Sequence, residues 1–322
     1  MLLSRVAESV YWAGRYLERT EATSRLLSVH TELFLDLPKA AGVSWSPLLV
    51  VTGSHDSFHE VHTEQTEETV VAFLASDLGN PGSIVSSLGR ARENLRITRA
   101  MLPRQCWEVL NELFLSAMAG RADAVDRRTR ARWCDLVMQK CQTLSGALAG
   151  TMSHDEVYSF LEIGRFVERA DMTTRVLDVQ AGILFGGADD LRPYADVTWM
   201  SVLRMLSAHQ MFLRTARCGV SGPDALRFLL EDPQFPRSIE RCLTEITRAL
   251  LELPRCDDPM HSCAEMQRVL ETAAVDDLAV DGLHEFVDRL QLSLAELHDV
   301  LTTTYFAAAP ATNETSELLA TA

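Results

Sequence analysis

A chain of 322 residues, 47% hydrophobic and 23% charged, has enough apolar surface for one large domain or two of ordinary size, which excludes a mostly disordered protein. Its net charge of −15, from 30 Lys and Arg against 45 Asp and Glu, repels polyanions and argues against nucleic acid as a partner. Seven cysteines without a CxxC pair, no apolar run of membrane-span length, and Arg5 and Glu8 where a signal peptide needs its apolar core together predict a reduced, cytoplasmic protein with no membrane partner.

Apolar residues recur at helical spacing throughout and nowhere alternate over a strand length, which predicts an all-α fold. In chain order, helices are expected at 5–36, 45–54, 60–77, 82–101, 104–119, 127–151, 155–185, 196–218, 222–231, 236–253, 261–274 and 281–306. Breakers separate them, among them "LPKAAG", "LGNPGS", "GGADDLRP" and "EDPQFP". Ser153, followed three residues later by Glu156, predicts a capping box for the helix at 155–185. After Phe306 the segment 307–322 has no sustained apolar face and is expected to be a disordered tail.

Two of these helices are alike. Ser9–Val29 and Ser159–Val179 share nine identities in 21 ungapped positions, and Trp45 and Trp199 each open a helix after a loop. "FLASDLGNPGSIVSSL" at Phe73–Leu88 then matches "FLLEDPQFPRSIERCL" at Phe228–Leu243. Ordered matches at offsets of 150, 154 and 155 predict a duplicated helical bundle with pseudo-symmetric halves, 1–152 and 153–306, packed as one domain.

The repeated helix carries a charged arc. At about 100° per residue, Arg15, Glu18, Arg19, Glu21 and Arg25 lie on one side and Ala13, Leu17 and Leu27 on the other; Arg165, Glu168, Arg169, Asp171 and Arg175 repeat the pattern. A solvated face stabilised by local ion pairs is one reading. Against it, the Arg and Glu positions are identical in copies that otherwise differ, and Tyr11, Leu26, Leu161 and Val176 place apolar groups within the arc. Something is therefore expected to cover it. The predicted architecture brings both arcs together near a pseudo-twofold axis, with Gly14 and Gly164 permitting close backbone approach. Four arginines, Arg15, Arg19, Arg165 and Arg169, sharing a covered space with Glu18 and Glu168 leave a positive excess suited to a carboxylate, a phosphate or an acidic peptide.

At these residues the chain resembles the bacterial Alpha-E family, all-helical proteins with a Glu-Arg motif. The resemblance runs through "SRVAESVYWAGRYLERTE", "NPGSIVSSLGRARENLRITR", "WEVLNEL" and "FLEIGRFVERAD" and covers nearly the whole chain. It implies association with a circularly permuted ATP-grasp protein, encoded beside or fused to family members, often with transglutaminase-like or proteasome-like neighbours. ATP and Mg are then expected on the partner ligase, with no cofactor on this chain.

Other constellations are weaker. His55, His59 and His62 fall at i, i+4 and i+7, a metal-ligand spacing, but without a counterpart in the second half they read better as a solvated face, and no metal is expected. Arg92, in "RARENLR", could lend a further cation to the Glu-Arg cavity or belong to an exposed salt-bridged helix. Cys134 and Cys141 share a face and are expected to be buried and unreactive. No GxSxG, Walker or Rossmann pattern occurs. Three functions remain open: an accessory or substrate-presenting subunit of an ATP-grasp ligase; an enzyme using Glu18 or Glu168 as base with Arg15, Arg19, Arg25, Arg165, Arg169, Arg175 and Arg92 binding an anion or partner; or a helical scaffold.

Overall fold

The computed structural model describes residues 2–38, 43–185, 194–215 and 219–307, and among these the protein is all-α, with no strand. The expected loop at 186–193, part of the one at 37–42, Cys218 and the tail at 308–322 lie outside the described residues. The first eight helices are α1 (Ser4–Asp36), α2 (Ser46–Val51), α3 (His55–Val61), α4 (Glu67–Ala75), α5 (Ile84–Ile97), α6 (Arg104–Ala119), α7 (Arg121–Val125) and α8 (Arg130–Thr151). There follow α9 (Glu156–Phe185), α10 (Ala195–Met205), α11 (His209–Thr215), α12 (Gly222–Glu231), α13 (Ile239–Leu250), α14 (Asp257–Glu271), α15 (Val275–Leu278) and α16 (Leu283–Leu301).

Three local corrections have identifiable causes. The helix expected over 60–77 is two, because Thr66 and Thr69 form a capping box that starts α4 afresh: Thr66 Oγ1 accepts from Thr69 N at 3.2 Å and Thr69 Oγ1 from Thr66 N at 3.0 Å. The helix expected over 196–218 breaks after Met205, where Ser207 takes a left-handed φ of 52°. The cap of α9 is Asp155, not Ser153: its Oδ1 accepts from Val157 N at 3.0 Å and Tyr158 N at 3.3 Å, while Glu156 turns away to accept from Leu2 N at 2.9 Å.

The centre of the molecule is the pair α1 and α9. They run parallel, since Leu2 meets Glu156, Gly14 meets Leu161 and Arg19 meets Glu168 as both chains advance. At the crossing the backbones touch: a Cβ on Gly14 would strike the Leu161 carbonyl oxygen, and one on Gly164 would strike that of Tyr11. Around this pair, α5, α8 and α10 pack on α1, and α2, α13 and α16 pack on α9. The same bonds recur 155 residues apart. Ser83 and Ser238 are both N-caps, accepting from Ser86 N and Arg241 N and donating to Asp77 O and Asp232 O. Gly53 and Ser207, 154 apart, both have positive φ, at 63° and 52°. Among the described residues no helix is long and apolar enough to cross a membrane.

Candidate functional site

Where α1 and α9 pass their glycine contact, each presents its charged arc to the other. Glu168 accepts from Arg15 Nε at 2.7 Å and from Arg19 through Nε at 2.5 Å and Nη2 at 3.0 Å. Glu18 accepts a bidentate pair from Arg169, Nε at 2.8 Å and Nη2 at 2.7 Å. Each motif glutamate is thus gripped by arginine from the opposite helix. The residues Glu18 and Glu168 are 3% and 1% exposed, so the solvated-face reading fails: the cover each arc requires is the other arc. Tyr11, Leu26, Leu161 and Val176 are buried as well, Tyr11 with its ring on His298 and Phe306.

Burial alone would raise both carboxyls. Arg169 and Arg237 outweigh it at Glu18, and Arg19 and Arg15 at Glu168, bringing each down to about 2. At neutral pH both groups are ionised with their oxygens bonded to arginine, and the lowered pKa makes each a weak proton acceptor.

The remaining arginines of the arc are largely committed to carboxylates as well, Glu21 and Asp171 of the arc itself and Glu162 from outside it. Arg25 pairs with Glu21, one turn away on α1. Arg175 bonds Asp171 through Nε at 2.9 Å. Arg165 turns to Glu162, Nη2 to Oε2 at 2.9 Å. Arg237, just before the N-cap of α13, enters from outside the motif: its Nη2 donates to Glu21 at 2.9 Å and lies 3.6 Å from Glu18. Burial, with Arg25 and Arg169 nearby, lowers its pKa to about 10. The cluster therefore sets seven guanidiniums (Arg15, Arg19, Arg25, Arg165, Arg169, Arg175, Arg237) against five carboxylates (Glu18, Glu21, Glu162, Glu168, Asp171). The positive excess of two is the same as a count of the repeated motif suggests, but it is spread over a larger, mostly paired cluster. The signal for Arg237 was available, because it sits beside the repeated Ser-Ile that aligns the second half to Gly82.

Arg92 is not part of this cluster. It bonds Asn111 Oδ1 at 2.8 Å and stacks over Trp107 and Phe114, fastening α5 to α6. The histidines separate as well, because α3 ends at Val61. His55 and His59 face each other with ring centroids 4.7 Å apart, while His62 leaves the helix and packs on Phe58 and Phe73. Among the described residues no group of three metal-ligating side chains forms. Cys134 and Cys141 are buried, and burial lifts the Cys134 thiol to about 12.

Sequence reasoning also missed Glu162. It borders a cavity of about 230 Å³ with His154, Tyr158 and Arg248, its Oε1 makes no hydrogen bond among the described residues, and burial raises its pKa against the pull of Arg165 and Arg169. A second cavity, also about 230 Å³, lies beside Arg19, Asp171 and Arg175.

The chain is similar to an uncharacterized protein of Mycobacterium bovis and to two from strains of Mycobacterium tuberculosis, in each case 25% identical over 94% of this chain. It spans 37% of the length of those curated relatives. No solved structure gives a significant match. The sequence model of Alpha-E, described as a predicted alpha-helical domain with a conserved ER motif, matches residues 2–306, and the chain, whose Glu18-Arg19 and Glu168-Arg169 are the crossed ion pairs at its centre, belongs to the Alpha-E family.

Proposed function

We propose that this protein is an accessory, substrate-presenting subunit of an ATP-grasp-dependent system that forms peptide or amide bonds. In this reading it is a duplicated unit, with halves 1–152 and 153–306 closed into one Alpha-E domain. It works in the cytoplasm beside a circularly permuted ATP-grasp ligase and, in some settings, a transglutaminase-like protein. ATP and Mg belong to the ligase. The observation that carries the reading is that Glu18 and Glu168 are each spent on arginine, with a lowered pKa that makes them weak proton acceptors, which supports a framework role for the repeated motif over a catalytic one. The relatives support it too, since the unit makes up 37% of longer chains, as a module serving other modules does. The bonds repeated 154 and 155 residues apart support the duplication.

The test is to purify the chain alone and with the ligase and to follow ATP consumption against amino-acid mixtures. Turnover is expected only with both proteins present. ATP turnover by the chain alone, or no association between the two, overturns the proposal.

Glu162 favours one second reading, in which the chain is itself an enzyme whose base is this carboxyl and not the motif glutamates. Loss of the joint activity in Glu162→Gln, with binding to the ligase retained, would favour that reading.

A further inference from the structure

The arc contact has two flanks, and they are built from matching positions with different contents. On one flank, Glu18, Arg169 and Arg25 surround the side chain of Arg237, and the space left is about 10 Å³. On the other, Glu168, Arg19 and Arg175 occupy the equivalent places, but the position matching Arg237 is Gly82, and the space is about 230 Å³. A void of the first size admits at most a single water, whereas the second has room for a small molecule. The walls correspond as well, Leu206 standing where Thr52 does, and the next residue along the chain has a positive φ in both, Ser207 and Gly53.

The simplest expectation, that a ligand guanidinium fills the open flank as Arg237 fills the closed one, is opposed by a second exchange. In the closed flank Glu162 draws Arg165 away, leaving Glu18 open to Arg237. In the open flank Trp12 stands at the position of Glu162. Arg15 lies over the Trp12 ring and donates instead to Glu168. Glu168 is thereby saturated by two arginines before any ligand arrives; the cavity itself is lined by Arg19 and Arg175 with Glu168 and Asp171, and Arg15 stands behind Glu168. Arg175 uses only Nε on Asp171, and among the described residues its two terminal nitrogens have no hydrogen-bond partner. One of them lies beside Gly53, where a Cβ would come within 3.2 Å of Nη1.

We infer that the cavity between Arg19, Arg175, Gly53 and Gly82 is a binding site for a small oxyanion, a carboxylate or phosphate group, gripped by the free edge of the Arg175 guanidinium. The two glycines keep the wall open: Gly53 holds a φ of 63° that disfavours other residues, and Gly82 leaves vacant the volume that Arg237 takes in the matching flank. The inference rests on the two flanks alone and does not depend on the ligase partnership.

The experiment is calorimetric titration of the full chain with glutamate, inorganic phosphate and, as a matched cation, arginine amide. Glutamate or phosphate is expected to bind, the stronger of the two naming the source of the oxyanion, and arginine amide is expected not to. Gly82→Met plugs the cavity without charge. Its Cβ meets nothing nearer than Asn80 Oδ1 at 3.4 Å, so the backbone has room for it, and anion binding should fall at least about tenfold with the thermal melt of the parent kept. Arg175→Lys should weaken binding by a similar factor, because the planar fork is lost while the charge stays. Binding of either anion to Gly82→Met as tightly as to the parent, binding of neither anion to the parent, or preferential binding of arginine amide overturns the inference.

Discussion

At the scale of single residues, the ion pairs at the centre are strong commitments and not surface decoration. Removing one member leaves its partners charged, buried and unmatched, so Glu168→Ala, which strands Arg15 and Arg19, should cost about 3–5 kcal/mol in urea unfolding. Glu108→Ala, which breaks an exposed pair with Arg104, should leave the midpoint where it is. A negligible shift for Glu168→Ala would mean that the arcs open in solution. Acid should act in two stages. His30, buried and donating from Nε2 to the Ser44 carbonyl, has a pKa lowered to about 4 by burial; the unfolded chain takes up its proton first, so stability falls as pH drops from about 6.5 to 4. Glu18 and Glu168, lowered from 4.5 to about 2, contribute stability that is complete above about 4.5 and lost as pH falls through 2. Urea melts at pH 7, 5 and 3 read both stages, and His30→Gln should flatten the first without touching the second.

At the scale of elements, the decisive contact is between backbones. The glycines before Arg15 and Arg165 let α1 and α9 meet closely enough for arginines of one to reach the glutamate of the other. Gly14→Ala or Gly164→Ala therefore places a methyl group against a carbonyl oxygen and must push the helices apart. Overpacking of this kind costs about 1–3 kcal/mol, and here each substitution should also lengthen the crossed ion pairs. The two substitutions should resemble each other in thermal melts, and Gly146→Ala, at an exposed site on α8 with open space around it, should be neutral or stabilising. The sequence made this element pair legible because a charged arc containing buried-type residues is a contradiction that only a cover resolves. It placed Glu21 and Asp171 on the arc but did not reveal that Glu162 would join. Glu162 lies one turn before Arg165, and nothing in the pattern says that Arg165 turns back to it while Arg15, facing Trp12, turns across to Glu168. Helix ends were legible where Pro or Gly marks them, as at Pro103 before α6, and less so where a side-chain cap decides, as Thr66 and Asp155 do.

At the scale of the whole molecule, the question is whether residues 1–152 and 153–306 are separable. The duplication in the sequence suggests two units, yet the partner of each motif glutamate lies across the boundary: Glu18 is held by Arg169, and Glu168 by Arg15 and Arg19. The short helices cross as well, α2 packing on α9 and α10 on α1, so each segment surrenders part of its cover to the other. A segment expressed alone would keep an exposed apolar stripe around Gly14 or Gly164 and an arc of arginines without carboxylates to meet them. Neither 1–152 nor 153–322 should therefore give a cooperative thermal transition as a monomer, and co-expression should restore one near that of the intact chain. Because the two arcs carry the same residues, residues 1–152 have one further course: pairing with a second copy through Gly14, with Arg15 and Arg19 of one chain reaching Glu18 of the other. Sedimentation of the isolated segment separates these outcomes. A stable, cooperatively melting monomer of 1–152 would show that the crossed ion pairs are an interface between finished domains, whereas aggregation, unfolding or a dimer lost on Glu18→Ala would show that they are the core of one.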